Sequence, residues 1–224
     1  MHVRKLGTTL FRDANIIDSA SYSFDESKIT KQSTNEVVGD VASKTISTSG
    51  TLSVTFGSTE FENFMLAVRA KASTQGAVAD GSFVYPILAV GQSVKLPHVN
   101  ITAVSITGKT EGVDFQVLGT SGLIVALTDN ATEVAGCTYA AGVAKRGAIA
   151  AGAEAEYEVI FTDVLNGETT QFYKWQPSLP QNVALISPNE FGVYEVSGAL
   201  LLDTSKPADG DLGQFGVKYE VQGV

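Results

Sequence analysis

The 224-residue chain has a single cysteine, Cys137, so no disulfide can form within it. A lone cysteine reads as a small apolar side chain of the interior. Histidine is almost as scarce. His2 and His98 are the only two, and with one cysteine they cannot supply a zinc site of recognised spacing. A Ser-His-Asp centre would have to use one of them, and no Gly-x-Ser-x-Gly elbow is present. Positive charge is short: 15 Lys and Arg stand against 24 Asp and Glu, a net charge of −9. That balance argues against a surface built to grip nucleic-acid phosphates, though not against one that nucleic acid slides past. No apolar run reaches membrane-spanning length. The segment Met1-His2-Val3-Arg4-Lys5-Leu6-Gly7 has no apolar signal-peptide core, so we expect synthesis in a reducing cytoplasm.

Turn-forming glycine is plentiful, at 22 residues, and 44% of the chain is hydrophobic, enough for a sizeable core. Most apolar positions recur with a period of two. Leu52, Val54 and Phe56 alternate with Thr51, Ser53 and Thr55. Tyr157, Val159 and Phe161 alternate with Glu156, Glu158 and Ile160, and Val113, Phe115 and Val117 behave likewise. Further strands are expected at 99–107, 123–127, 170–175, 184–186, 193–202 and 217–221, and two short ones in 3–24.

Residues 59–71 alone read as a helix. Phe61, Phe64, Met65 and Val68 fall at i, i+3, i+4 and i+7, a stripe expected to pack on a sheet. Thr59 and Glu62 have capping-box spacing, and Arg69 and Lys71 suit the negative end of the helix dipole. The expected fold is mainly β, a β-sandwich or open barrel with one flanking helix. A single domain spans 1–224, with a possible inserted β segment at about 99–155. Residues 73–98 read as a connector, flexible from Ser73 to Ser82.

Residues 25–44 carry Asp25, Glu26, Lys28, Lys31, Gln32, Asn35, Glu36, Asp40 and Lys44 with no apolar period. The stretch is too long for a hairpin turn. It is either a solvated excursion or an arm that orders against a neighbouring chain.

Motifs of chemistry fall short. Ala103-Val104-Ser105-Ile106-Thr107-Gly108-Lys109-Thr110 lacks the first glycine of a phosphate loop and alternates like a strand. Asp203, Asp209 and Asp211 could hold calcium but also read as turn residues. Glu154, Glu156 and Glu158 share a strand face, solvated by default or an electrostatic lining. Trp175, beside Phe172 and Tyr173, reads first as core and second as an interface or sugar platform. No catalytic constellation, cofactor site or metal site is expected.

The order of several stretches resembles the major tail tube protein of long-tailed, siphovirus-like bacteriophages. They are Ser19-Ala20-Ser21-Tyr22-Ser23-Phe24-Asp25, the long polar stretch after it, and Gly50-Thr51-Leu52-Ser53-Val54-Thr55-Phe56 running into the helix. Glu111-Gly112-Val113-Asp114-Phe115-Gln116-Val117 with Gly122-Leu123-Ile124-Val125, and the close from Pro188 to Asp203 with Gly198-Ala199-Leu200-Leu201-Leu202, look similar too. The likeness covers most of the chain and is weakest at 99–155.

The resemblance implies a structural virion protein. Six copies would form a ring, and rings would stack into the hollow tail tube through which DNA leaves for the host. Tail tip, tape measure and tail terminator proteins would be its partners. The arm would hold Lys28, Lys31, Gln32, Asn35, Glu36, Asp40 and Lys44. The lumen face would carry Thr51, Ser53 and Thr55, with Glu156 and Glu158. Two alternatives are another tail or terminator component of the same fold and a monomeric carbohydrate-binding β-sandwich.

Overall fold

The computed structural model describes residues 1–33, 39–129, 134–163, 165–180, 183, 193–208 and 210–220. They are mainly β. In chain order they hold β1 (His2–Lys5), β2 (Arg12–Asp13), β3 (Ile17–Ser33), β4 (Gly39–Phe56), α1 (Phe61–Ala67), β5 (Lys71–Gln75), β6 (Val78–Tyr85), β7 (Ser93–Lys95) and β8 (Ile101–Ile106). Then follow β9 (Phe115–Leu118), β10 (Leu123–Ala126), β11 (Ala135–Ala141), β12 (Ala144–Ala148), β13 (Tyr157–Asp163), β14 (Glu168–Pro177), β15 (Tyr194–Leu200) and β16 (Gly216–Glu220). The strand expected at 184–186 lies outside the described residues.

The chain divides into two compact units. The first joins Met1–Lys71 to Ala148–Val224, and the second is Ala72–Gly147. The insertion therefore begins well before the expected residue 99 and ends before 155. The stretch read as flexible from Ser73 to Ser82 is largely strand, because β5 pairs with β12 and β6 with β11.

The first unit is one eight-stranded sheet in the order β2-β1-β13-β14-β15-β4-β3, with β16 added beside β14. Every pairing is antiparallel. β14 serves two neighbours on one edge: Glu168–Phe172 pair with β16, and Trp175–Pro177 with β15. Leu52, Val54, Phe56, Val159, Trp175 and Val196 are buried on one face of this sheet, with Leu66 and Ala67 of the helix. Trp175 has no exposed surface. Its indole fits because Gly198, on the neighbouring strand, has no Cβ: one there would meet Trp175 Nε1 at 2.7 Å and the Pro177 Cα at 2.7 Å.

The helix is shorter than its sequence pattern and turned. It spans seven residues, with Glu60 at the N-cap and no side-chain cap, so the Thr59–Glu62 box does not form. Asn63, Leu66 and Ala67 are buried, with Val68 just beyond. Of the four expected packing residues only Val68 is buried; Phe64 is half-exposed but packs against the core beside Tyr194, and Phe61 and Met65 are half-exposed. The reason is polar. Asn63 is fully buried, its Oδ1 accepting from Arg12 Nη1 at 2.6 Å and its Nδ2 donating to the Ala14 carbonyl at 3.0 Å. Anchoring that side chain turns the i, i+3, i+4 face of 63, 66 and 67 inward. The helix stops because Arg69 takes a left-handed conformation (φ 47°). Ala70 N–H then bonds Met65 O at 2.9 Å and Arg69 N–H bonds Leu66 O at 3.3 Å, which satisfies the last carbonyls.

The second unit holds two three-stranded antiparallel sheets, β7-β10-β9 and β6-β11-β8, and the strand pair β5-β12. The two sheets share a core that includes Tyr85, Leu96, Ile106, Phe115, Ile124 and Tyr139. Cys137 is buried in it, and burial raises its thiol pKa. Gly81 leaves the space that the Tyr139 ring fills, and Tyr139 Oη bonds His98 Nδ1 at 2.7 Å. Gln75 ties the entry strand down, donating to Val99 O at 2.8 Å and accepting from Val99 N–H at 3.1 Å.

Candidate assembly surface

The face of the large sheet opposite its core is built of hydroxyls. β4 alternates strictly: Leu52, Val54 and Phe56 are buried, Thr51 is exposed, and Ser53 and Thr55 are half-exposed. Antiparallel register sets Ser53 opposite both Ser21 and Ser197, and Thr55 opposite both Ser19 and Glu195. Directly opposed side chains share a face. Ser53 Oγ donates to Ser197 Oγ at 3.0 Å, and Ser19 Oγ to Thr55 Oγ1 at 3.1 Å. A groove of about 640 Å³ runs over this face, walled by Ser178, Leu179 and Pro180. Among the described residues its lining has hydroxyls and one carboxylate, Glu195, but no cation. Such a face offers weak, exchangeable hydrogen bonds and no fixed positive charge to hold a polyanion.

Two of the expected face residues differ from one another. Glu156 is half-exposed. Glu158 is only 8% exposed, bonded to the Arg4 guanidinium and, at 2.5 Å, to Gln171 Nε2. Its expected solvated position is corrected: β1 pairs Arg4 directly opposite Glu158, so the charge is matched within the sheet. The Arg4 guanidinium also lies 4.7 Å from the Phe11 ring centroid.

The polar stretch 25–44 is part of a long two-stranded arm. β3 and β4 pair from Ile17–Phe56 out to Ser33–Gly39. β15 accompanies β4 only over Gly50–Phe56, so beyond Gly50 the ribbon has no third strand among the described residues. From Asp18 to Gln32 and from Ala42 to Ser49 every side chain is exposed. Lys28, Lys31, Gln32 and Lys44 belong to that set. Asn35 and Glu36 lie outside the described residues, and only the backbone pairing of Asp40, with Gln32, is described. Lys28 pairs with Glu26 at 2.9 Å, and this bond lowers the Glu26 pKa. The hairpin also leaves Tyr22 57% and Phe24 42% exposed on the core side, although Tyr22 packs edge-on to Phe172 and Phe24 lies against Phe215. A hairpin with no covering layer is marginal in water.

Other candidate chemistry does not assemble. Asp203 accepts from Ser205 Oγ at 2.8 Å and from Ser205 N–H, and lies 3.7 Å from Lys174 Nζ. The Ser205 hydroxyl is the main cause of its lowered pKa. Asp209 lies outside the described residues, and no group of three metal-ligating side chains occurs among those described. Trp175 is wholly buried and Tyr173 is 7% exposed beneath Lys206, so neither offers a ring face to a sugar. No helix among the described residues is long and apolar enough to cross a membrane. The sequence pointed to β4 by its alternation. The partner hydroxyls Ser19, Ser21 and Ser197 could be found only through strand register, which a single chain does not spell out.

No curated protein matches the sequence. A family model described as "Protein of unknown function UCP028589" matches residues 4–218, nearly the whole chain, and the protein belongs to that family.

Proposed function

We propose that the protein is a tail tube protein of a long-tailed phage, a structural virion component that forms homohexameric rings stacked into a hollow conduit for DNA. The observation that carries this reading is the bare β3–β4 arm. A ribbon with every described side chain from Asp18 to Gln32 and from Ala42 to Ser49 exposed buries little of its own beyond the partial contacts of Tyr22 and Phe24. Its cost in ordered backbone is recovered when another surface covers it. Among the described residues the outer edge of β3 has no partner strand, and it offers its backbone groups to a strand from a neighbour.

The hydroxyl face fits the lumen in this reading. Thr51, Ser53 and Thr55 would present DNA with a wall that is polar, uncharged and not adhesive; the half-exposed Glu156 would add at most negative charge, and the buried Glu158 is held by Arg4. Tail tip, tape measure and tail terminator proteins are the expected further partners. The test is negative-stain electron microscopy of the purified protein over a concentration series, with mass measured in solution. Stacked rings with a central channel are the expected outcome. A monomer that binds no second copy at any concentration, even when seeded with short preformed tubes, overturns the reading.

A further inference from the structure

The turn between β13 and β14 carries the chain's only Asn-Gly pair, Asn166-Gly167. Asparagine is a thermolabile side chain, most of all before glycine, which has no side chain to shield its main-chain nitrogen. Asn166 is exposed, and Gly167 takes a left-handed conformation (φ 65°). Asp163 holds the asparagine at both its side-chain and its main-chain nitrogen. Its Oδ2 accepts from Asn166 Nδ2 at 2.6 Å, and its Oδ1 from Asn166 N–H at 3.3 Å and Leu165 N–H at 3.0 Å. The Asn166 amide is the largest cause of a lowered Asp163 pKa, so this carboxyl is charged at neutral pH.

We propose that Asn166-Gly167 is a deamidation site, and that the Asp163 carboxylate holds it shut while the turn is formed. In the open turn Gly167 N attacks Asn166 Cγ and gives up its proton to solvent. The Cγ–Nδ2 bond breaks, ammonia leaves, and a five-membered succinimide closes. One water then opens the ring, at the side-chain carbonyl to give aspartate or at the main-chain carbonyl to give isoaspartate. Nothing is oxidised or reduced. The clamp opposes this step in two ways. An N–H that donates to an anion passes electron density into its amide, which makes Cγ a poorer electrophile. Negative charge must also grow on Asn166 Oδ1 as the ring closes, and a carboxylate beside it is the reverse of an oxyanion hole. The conversion runs one way. Either product faces Asp163 with a carboxylate where a donor stood. Register already sets Asp163, Glu168 and Glu220 side by side across β13, β14 and β16, with Lys218 bonded to Glu168 at 2.7 Å. Like charges directly opposed on a sheet are destabilising, so the turn does not close again.

The test incubates the full chain in mildly alkaline buffer and follows Asn166 by peptide mapping with mass spectrometry. Wild type, Asp163→Ala, Asp163→Asn and Leu165→Ala are compared, each with its melting temperature. Asp163→Ala should convert about tenfold faster than the wild type or more, with isoaspartate among its products. Asp163→Asn keeps an acceptor without the charge and should fall between the two. Leu165→Ala trims a side chain that is 96% exposed, keeps the clamp, and should convert at the wild-type rate. Equal or slower conversion in Asp163→Ala overturns the proposal, a slower rate because the carboxylate would then be assisting as a base. Leu165→Ala converting as fast as Asp163→Ala overturns it as well, because looseness of the turn would then set the rate. Aspartate without isoaspartate does the same, since no ring would have formed.

Discussion

Arg12 Nη1 lies 2.6 Å from Asn63 Oδ1, a bond that joins the second strand to the buried side of the only helix among the described residues. Burial lowers the Arg12 pKa, against the pull of Glu62 and Glu60. The amide of Asn63 spends its other end on Ala14 O.

Asn63 is therefore expected to matter more than the aromatic residues beside it. Asn63→Leu keeps the volume but removes the side-chain partners of Arg12 and of the buried Ala14 carbonyl, at a cost of roughly 1–3 kcal/mol for a buried group left unpaired. Phe61→Ala removes a half-exposed ring and should cost less than Leu66→Ala, for which about 2–5 kcal/mol is the usual range in a core. Chemical denaturation of the three variants orders them. Phe61→Ala proving the most costly would reverse the account of which helix face is buried.

Gly198→Ala tests the packing of Trp175. The added methyl would meet Gln176 O, the Pro177 Cα and Trp175 Nε1, two of them main-chain atoms that cannot move aside cheaply. Overpacking of this kind costs roughly 1–3 kcal/mol. Tryptophan fluorescence, from the only tryptophan of the chain, reports the displacement directly. An unchanged spectrum and melting temperature would mean that β14 and β15 have slack at this crossing.

Shortening the arm separates folding from assembly. Replacing residues 26–47 by a two-residue turn removes only side chains that are exposed where they are described, so the melting temperature should stay within a few degrees. Tubes should not form. Tubes of normal appearance from the shortened chain would show that the arm has another purpose.

Acid should loosen the Leu165 turn. The Asn166 side-chain amide, with the Asn166 and Leu165 N–H groups, holds the Asp163 carboxyl below its usual value of 3.8. A depressed carboxyl pKa contributes order that is present above 3.8 and lost as the pH falls through the lower folded value. The Leu165 and Asn166 amide resonances should titrate together with a midpoint below 3.8. Independent midpoints would mean that Asp163 does not hold the turn.

How much was legible in the sequence depends on what lies behind each strand. Leu52, Val54 and Phe56 alternate because one face of β4 meets a core, and that period carried the reading of the hydroxyl face. The same strand further out has no core behind it, so the positions between the hydroxyls Thr45, Ser47 and Ser49 are not consistently apolar (Lys44, Ile46, Thr48) and the arm read only as polar. Asn63 misled because a buried polar side chain breaks an apolar stripe, and the stripe through Phe61, Phe64 and Met65 looked better than the face actually used. The helix end was hidden for a related reason: Arg69 occupies a left-handed position where glycine is the usual signal. Trp175 and Cys137 were read as interior, and both are buried.

The first unit is split along the chain, and this has a consequence for the order of events during synthesis. His2 pairs with Ile160, and Gly50 with Leu200, so the large sheet must wait until most of the polypeptide has left the ribosome. Residues 72–147 form a contiguous unit and can fold while the rest is still being made. A groove at the root of the arm takes Leu202 and Phe215 from segments that follow the second unit in the chain. It is thus completed only after residues 72–147 have been made, so the contiguous unit can fold before the split one.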